Sequence, residues 1–411
     1  MGQILYRKIA ECLTLEGVQA KRGVKPQEAD LSVIKSAAIL VQDGRIQWVG
    51  PEKSLPKKLI EKSCREISLN TATVLPGFVE CHTHTVFAGH RADEFELRNR
   101  GATYQEIAQK GGGILSTMNK TRAASQAQLM KLAQERANRF LEQGVTRLEV
   151  KSGYGLDLKS ELKCLNVAQE IKGPLVTTTF LGAHAKPPEF KSYADYLEYL
   201  TRDVLPKVKK QKLSSRVDIF IEKGFFEAAE SEKYLRTAQE LGFEITIHAD
   251  QLSLSGGARI ASELKALSAD HVIKVSALEI QKMKEAGVIA VLLPAADLYL
   301  QCDYPPARQL IDQGVRVALA TDFNPGSSPT QDLSLVGLLA RLEMRMTLPE
   351  VIAAYTHNAA LAIGLSDEGH LIPGSRANFF STEIEWRELF YSVGQKMASQ
   401  IFINGKRVKN A

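Results

Sequence analysis

The chain has 411 residues, 44% hydrophobic and 24% charged, with 29 Gly, 15 Pro and a net charge of +5. These values describe a folded soluble protein and exclude disordered, collagen-like and low-complexity readings. The positive excess is spread thinly, so nucleic-acid and membrane-surface roles find no support, and no apolar run reaches the ~18 residues of a membrane span. Five scattered cysteines (Cys12, Cys64, Cys81, Cys164, Cys302) form no C-x-x-C pair, which argues against a thiolate zinc site or a disulfide framework. The first residues lack a basic segment followed by an apolar one, so a cytoplasmic location is the expectation.

The elements begin with a hairpin. Ala37–Val41 and Ile46–Gly50 flank a turn holding Asp43-Gly44, the strongest short-range hairpin signal. Apolar β-type runs then alternate with helical patterns. The expected strands are Thr73–Glu80, Val145–Lys151, Leu175–Ala183, Arg216–Glu222, Phe243–His248, Leu267–His271, Val288–Leu293 and Val315–Thr321. Helical segments such as Ser125–Leu141 and Ser231–Leu241 fill the gaps, with apolar residues at three- and four-residue steps in the first. Alternation of this kind implies parallel strands, and eight repeats fit a (β/α)₈ TIM-like barrel of the α/β class. The chain ends as it began, with strands around Asn404-Gly405. The expected organisation is a barrel over residues 73–365 and a small composite β domain from residues 1–72 and 366–411.

Active sites of such barrels lie at the C-terminal ends of the strands. Of eight histidines, His82, His84, His184, His248 and His271 fall at or just past those ends, and Asp322 follows the last strand. Satisfied core histidines have no reason to follow strand ends. His82 and His84 lie two apart, which puts them on one side of a strand, ~6.6 Å apart along it. With a later histidine and an aspartate they make a three-nitrogen, one-oxygen set that suits one divalent ion, zinc first and ferrous iron second.

The segment Pro76-Gly77-Phe78-Val79-Glu80-Cys81-His82-Thr83-His84 resembles the first barrel strand of the amidohydrolase superfamily. Further segments resemble its imidazolonepropionase family: Lys151-Ser152-Gly153-Tyr154-Gly155, Leu181-Gly182-Ala183-His184, Ser268-Ala269-Asp270-His271, Thr321-Asp322-Phe323-Asn324-Pro325-Gly326 and the run Gly111-Gly112-Gly113. The resemblance implies an amidohydrolase-type barrel with one zinc or iron held by His82, His84, His248 and Asp322. It implies hydrolysis of the ring amide of 4-imidazolone-5-propanoate to N-formimino-L-glutamate, in a homodimer. His271 and Asp322 would move protons and His184 would polarise the ring carbonyl. Arg91, Tyr154, His184, Asn324 and Gly326 would meet the substrate, with Arg91 forking its carboxylate.

Simpler readings stand beside these. Arg91 pairs with Asp93 or Glu94, His271 with Asp270, and Asn324 forms a turn before Pro325. The triglycine run lacks the Lys-Ser or Lys-Thr of a phosphate loop and is read as a flexible loop at the barrel mouth. Where some relatives carry Glu three residues after the third metal histidine, this chain has Gln251. Gln cannot titrate and only orients water or substrate. Lys186, after His184, has no explanation in the sequence.

Overall fold

The computed structural model describes residues 2–102 and 112–408. Gly111 of the triglycine run lies outside the described residues, while Gly113 is the N-cap of the helix Ile114–Ala123.

Strands β1 (Gln3–Leu13), β2 (Val33–Gln42), β3 (Arg45–Pro51) and β4 (Arg65–Pro76) come from the start of the chain, and β13 (Phe379–Thr382), β14 (Gln400–Ile403) and β15 (Lys406–Val408) from its end. They form one seven-stranded sheet in the order β15-β14-β13-β4-β1-β2-β3. Only the β1–β4 pair is parallel. Both expected hairpins are present, and each turn uses two residues of positive φ: Asp43 (51°) with Gly44 (83°), and Asn404 (48°) with Gly405 (67°). Such turns match the twist of the strands they join.

The second sheet holds β5 (Phe78–Glu80), β6 (Val145–Lys151), β7 (Leu175–Ala183), β8 (Arg216–Ile221), β9 (Glu244–Ala249), β10 (Ser268–His271), β11 (Ile289–Leu292) and β12 (Val317–Leu319), all parallel and in sequence order. Its two ends meet just beyond the last strand. Thr83 bridges Phe323 in parallel, and the Phe323 carbonyl accepts the His84 N–H at 2.9 Å. The expected strand Thr73–Glu80 is divided: residues up to Pro76 pair with β1 and β13 in the terminal sheet, and only Phe78–Glu80 enters the barrel. Apolarity alone does not mark that break, because both halves are buried.

Alternation along the strands sorts the two barrel faces. Leu148, Val150, Val217, Ile219, Ile245 and Ile247 belong to one apolar core with Leu129, Ala133, Leu165 and Leu235 of the surrounding helices. The intervening Glu149, Lys151, Asp218 and His248 are polar yet buried, so the opposite face of these strands is a polar interior. The helix Gln126–Glu142 starts one residue after its prediction, capped by Ser125, whose Oγ accepts the Gln128 N–H at 3.2 Å. Among the described residues no helix is long and apolar enough to cross a membrane.

Candidate active site

His82 and His84 follow β5, His184 follows β7, His248 lies near the end of β9, and His271 ends β10. All five are buried, as is Asp322. The backbone at His271 (φ 73°) and Asp322 (φ 52°) is left-handed. Such conformations are sparse for non-glycine residues and gather at functional sites. Donor atoms of His82, His84 and Asp322 lie within 4.8 Å of one another, and so do those of His82, His248 and His271. Asp322 Oδ1 stands 3.4 Å from His82 Nε2 and 3.3 Å from His84 Nε2.

The far nitrogens of two rings are tied to carboxylates. His82 Nδ1 lies 2.6 Å from Asp270 Oδ2, and His248 Nδ1 lies 3.1 Å from Asp218 Oδ1. A carboxylate on Nδ1 fixes that nitrogen as the donor and leaves Nε2 with its lone pair, the arrangement of a metal-binding histidine. The Nε2 atoms of His82 and His248 are buried without a hydrogen-bond partner. Unmet buried donors or acceptors are costly, and a cation at this point satisfies both. The residues present therefore fit a divalent metal.

Charge follows the same geometry. With no ion bound, burial and the Lys151 ammonium lower the His82 pKa, but Asp270 and Asp322 carry it up to about 9, so an ion at Nε2 takes the place of a proton. Burial takes His84 down to about 4 and places His184 and His271 well below the usual imidazole range. Burial opposes ionisation of Asp322, yet the imidazoles of His82 and His84 beside it hold it well below the usual carboxylate range.

A small cavity of about 40 Å³ opens above this cluster, lined by His84, His184, His248, His271 and Asp322 together with Arg91, Tyr154, Gln251 and Asn324. Tyr154 is buried, with its ring centroid 5.2 Å from that of His184. Gly326 stands behind the wall: a Cβ there would overlap the Arg91 guanidinium. Asn324 is a turn former as well as a wall residue. Its Oδ1 accepts the Gly326 and Ser327 N–H groups at 2.8 Å each, and its Nδ2 donates to the Asp322 carbonyl at 2.7 Å. Arg91 Nη2 reaches Asn324 Oδ1 at 3.5 Å, whereas Glu94 accepts the Gly113 N–H. Asp270 serves His82 rather than its neighbour His271. Lys186 has a local task, donating to the Phe190 carbonyl at 2.7 Å.

Sequence reasoning gave no role to Glu80, Glu149, Lys151 and Asp218 in the charged layer around the histidines, and set Asp270 beside His271 rather than His82. A signal was present, since Glu149 and Asp218 interrupt apolar strands where a charge needs a buried partner.

The chain matches the Amidohydrolase family over residues 73–408. It is 58% identical to the imidazolonepropionase of Bdellovibrio bacteriovorus over 407 residues, covering 98% of this chain and 96% of the relative. The imidazolonepropionase of Porphyromonas gingivalis is 39% identical, with 98% and 97% covered. Solved structures share the fold at low identity. A triazine hydrolase variant has a TM-score of 0.74 at 16% identity, covering 99% of this chain and 94% of that one. A zinc-bound adenosine deaminase from Xanthomonas campestris has 0.74 at 17%, covering 99% and 92%. With such identity over nearly the full length of both chains, this chain belongs to the imidazolonepropionases of the amidohydrolase family.

Proposed function

We propose that the chain hydrolyses the ring amide of 4-imidazolone-5-propanoate to N-formimino-L-glutamate, a step of histidine degradation. The observation that carries this reading is the 58% identity across 98% of the chain to an imidazolonepropionase. We assign one divalent ion to His82, His84, His248 and Asp322, with zinc first and ferrous iron second for three imidazoles and a carboxylate. When bound, such an ion supplies Lewis acidity that lowers the pKa of a water toward ~7.

The side chains then divide the remaining work. Arg91 is the cation for the propionate carboxylate, as a guanidinium forks two oxygens at once. His271 is kept neutral by burial and so can take up a proton and return it to the leaving ring nitrogen. Asp322 is held ionised and can share that proton. His184 calls for a revision of its expected role. Its Nδ1 faces the Gly153 carbonyl at 3.0 Å, which only accepts, so Nδ1 is the protonated nitrogen. A neutral His184 then presents a lone pair at Nε2, which suits a ring N–H of the substrate rather than its carbonyl oxygen. Gln251, at the cavity wall, orients by hydrogen bonds and transfers no proton. The enzyme is read as cytoplasmic and homodimeric, the second point to be settled by sedimentation.

Metal analysis joined to an assay on freshly generated imidazolone propionate tests the reading. About one metal per chain is expected, with formiminoglutamate production lost to a chelator and restored by metal. Bound metal without turnover would transfer the enzyme to other cyclic amides, and absence of binding after add-back would defeat the ligand assignment.

A further inference from the structure

One buried ammonium has no part in the chemistry above. Lys151 ends β6 and is 1% exposed. Its Nζ lies 2.9 Å from Asp218 Oδ2, 3.1 Å from Glu149 Oε1 and 3.9 Å from Asp270 Oδ2. The ammonium donates a hydrogen bond to Glu149 and faces Asp218 and Asp270 as ion pairs, so its charge is shared by three carboxylates.

Each of those carboxylates leads to a different part of the histidine cluster. Asp218 holds His248 Nδ1 and also accepts the His248 backbone N–H at 3.2 Å. Asp270 holds His82 Nδ1. Glu149 accepts the backbone N–H of Thr83, the residue between His82 and His84, at 3.0 Å. Lys151 grips the same residue by its own backbone, donating its N–H to the Thr83 carbonyl at 2.9 Å. The ends of β5, β6, β8 and β10 thus meet around one nitrogen. Without it, three carboxylates would share a dry interior, where like charges repel strongly.

We propose that Lys151 is a positioning residue of the metal site. Through Asp218 and Asp270 it holds His248 and His82 with Nε2 turned to the ion, and through Glu149 it pins the peptide that carries His82 and His84. The inference rests on the ligand assignment made above and concerns the grip on the ion, not the substrate.

The test uses the full-length zinc-loaded protein and its Lys151→Met variant, which keeps side-chain length and removes the charge. Three quantities are followed: zinc transfer to a chromogenic chelator, the visible spectrum after cobalt substitution, and the circular dichroism. Outer partners of metal ligands typically change affinity by about 10–100-fold. A folded variant is therefore expected to release zinc about 10–100 times faster, with displaced cobalt bands. Release within about twofold of the parent and an unchanged spectrum would overturn the proposal. Should Lys151→Met not fold, Lys151→Met/Glu149→Gln removes one charge of each sign and is held to the same thresholds. Loss of fold in both chains overturns it in favour of a purely structural lysine. A parent chain that takes up no zinc defeats the ligand assignment and this inference with it, whereas tight parent binding with unaltered variants defeats this inference alone.

Discussion

Arg91 lies against residue 326 so closely that any Cβ there would displace its guanidinium. Gly326→Ala must push the guanidinium aside, and a charged hydrogen bond of about 1.5–3 kcal/mol is then at risk. We expect KM for the imidazolone to rise by about tenfold or more, with kcat less affected, in steady-state assays. The proton-transfer assignment makes a second prediction. His271→Ala lowers kcat by about 10²–10⁴, while Gln251→Ala costs less than about tenfold; equal small effects would remove His271 from its role. A third concerns stability without metal. Burial takes His84 to about 4 and His357 to about 3, both below the ordinary 6.5. A depressed folded-state pKa means stability that is fully present above about pH 6.5 and is lost as the pH falls toward the folded values. Each group contributes up to about 1.4 kcal/mol per pH unit in that window. The melting temperature of the metal-free chain should fall between pH 6.5 and 4.5, and His357→Gln should flatten the slope.

Strands and helices show what the sequence made readable. The strands Val145–Lys151 and Leu175–Ala183 fall where their apolar runs put them, because a strand between a helical layer and a barrel interior is buried on both faces. The histidines were found for a related reason: strand ends are where a barrel opens, so a polar residue there has a use. The first barrel strand was misplaced because Thr73–Glu80 reads as one apolar run, and only pairing partners divide it between two sheets. The carboxylates beside the histidines stayed hidden because Asp218, Asp270 and Lys151 come from three strands, and their ion pairs exist only after closure. Capping, by contrast, is local. Ser125 and Gln128 exchange hydrogen bonds at the start of the helix Gln126–Glu142. Ser125→Ala should cost about 1 kcal/mol in denaturant unfolding and leave kcat unchanged.

The two sheets are joined by aromatic packing. Phe78 of the barrel lies 4.8 Å, centroid to centroid, from Phe380 of the terminal sheet, and 5.7 Å from Tyr355. All three rings are fully buried. Phe380→Ala should cost about 3–5 kcal/mol, read as a lowered unfolding midpoint, although Phe380 is not among the residues that line the cavity. The bridge between Thr83 and Phe323 bears on how the protein is made. His84 and Asp322 flank that seam from opposite ends of the barrel sequence, so a chain still on the ribosome has the three proposed histidine ligands long before it has the carboxylate. Only when the last strand is released and docks beside the first does the full set come together. A truncated or stalled barrel therefore lacks the carboxylate of the proposed ligand set.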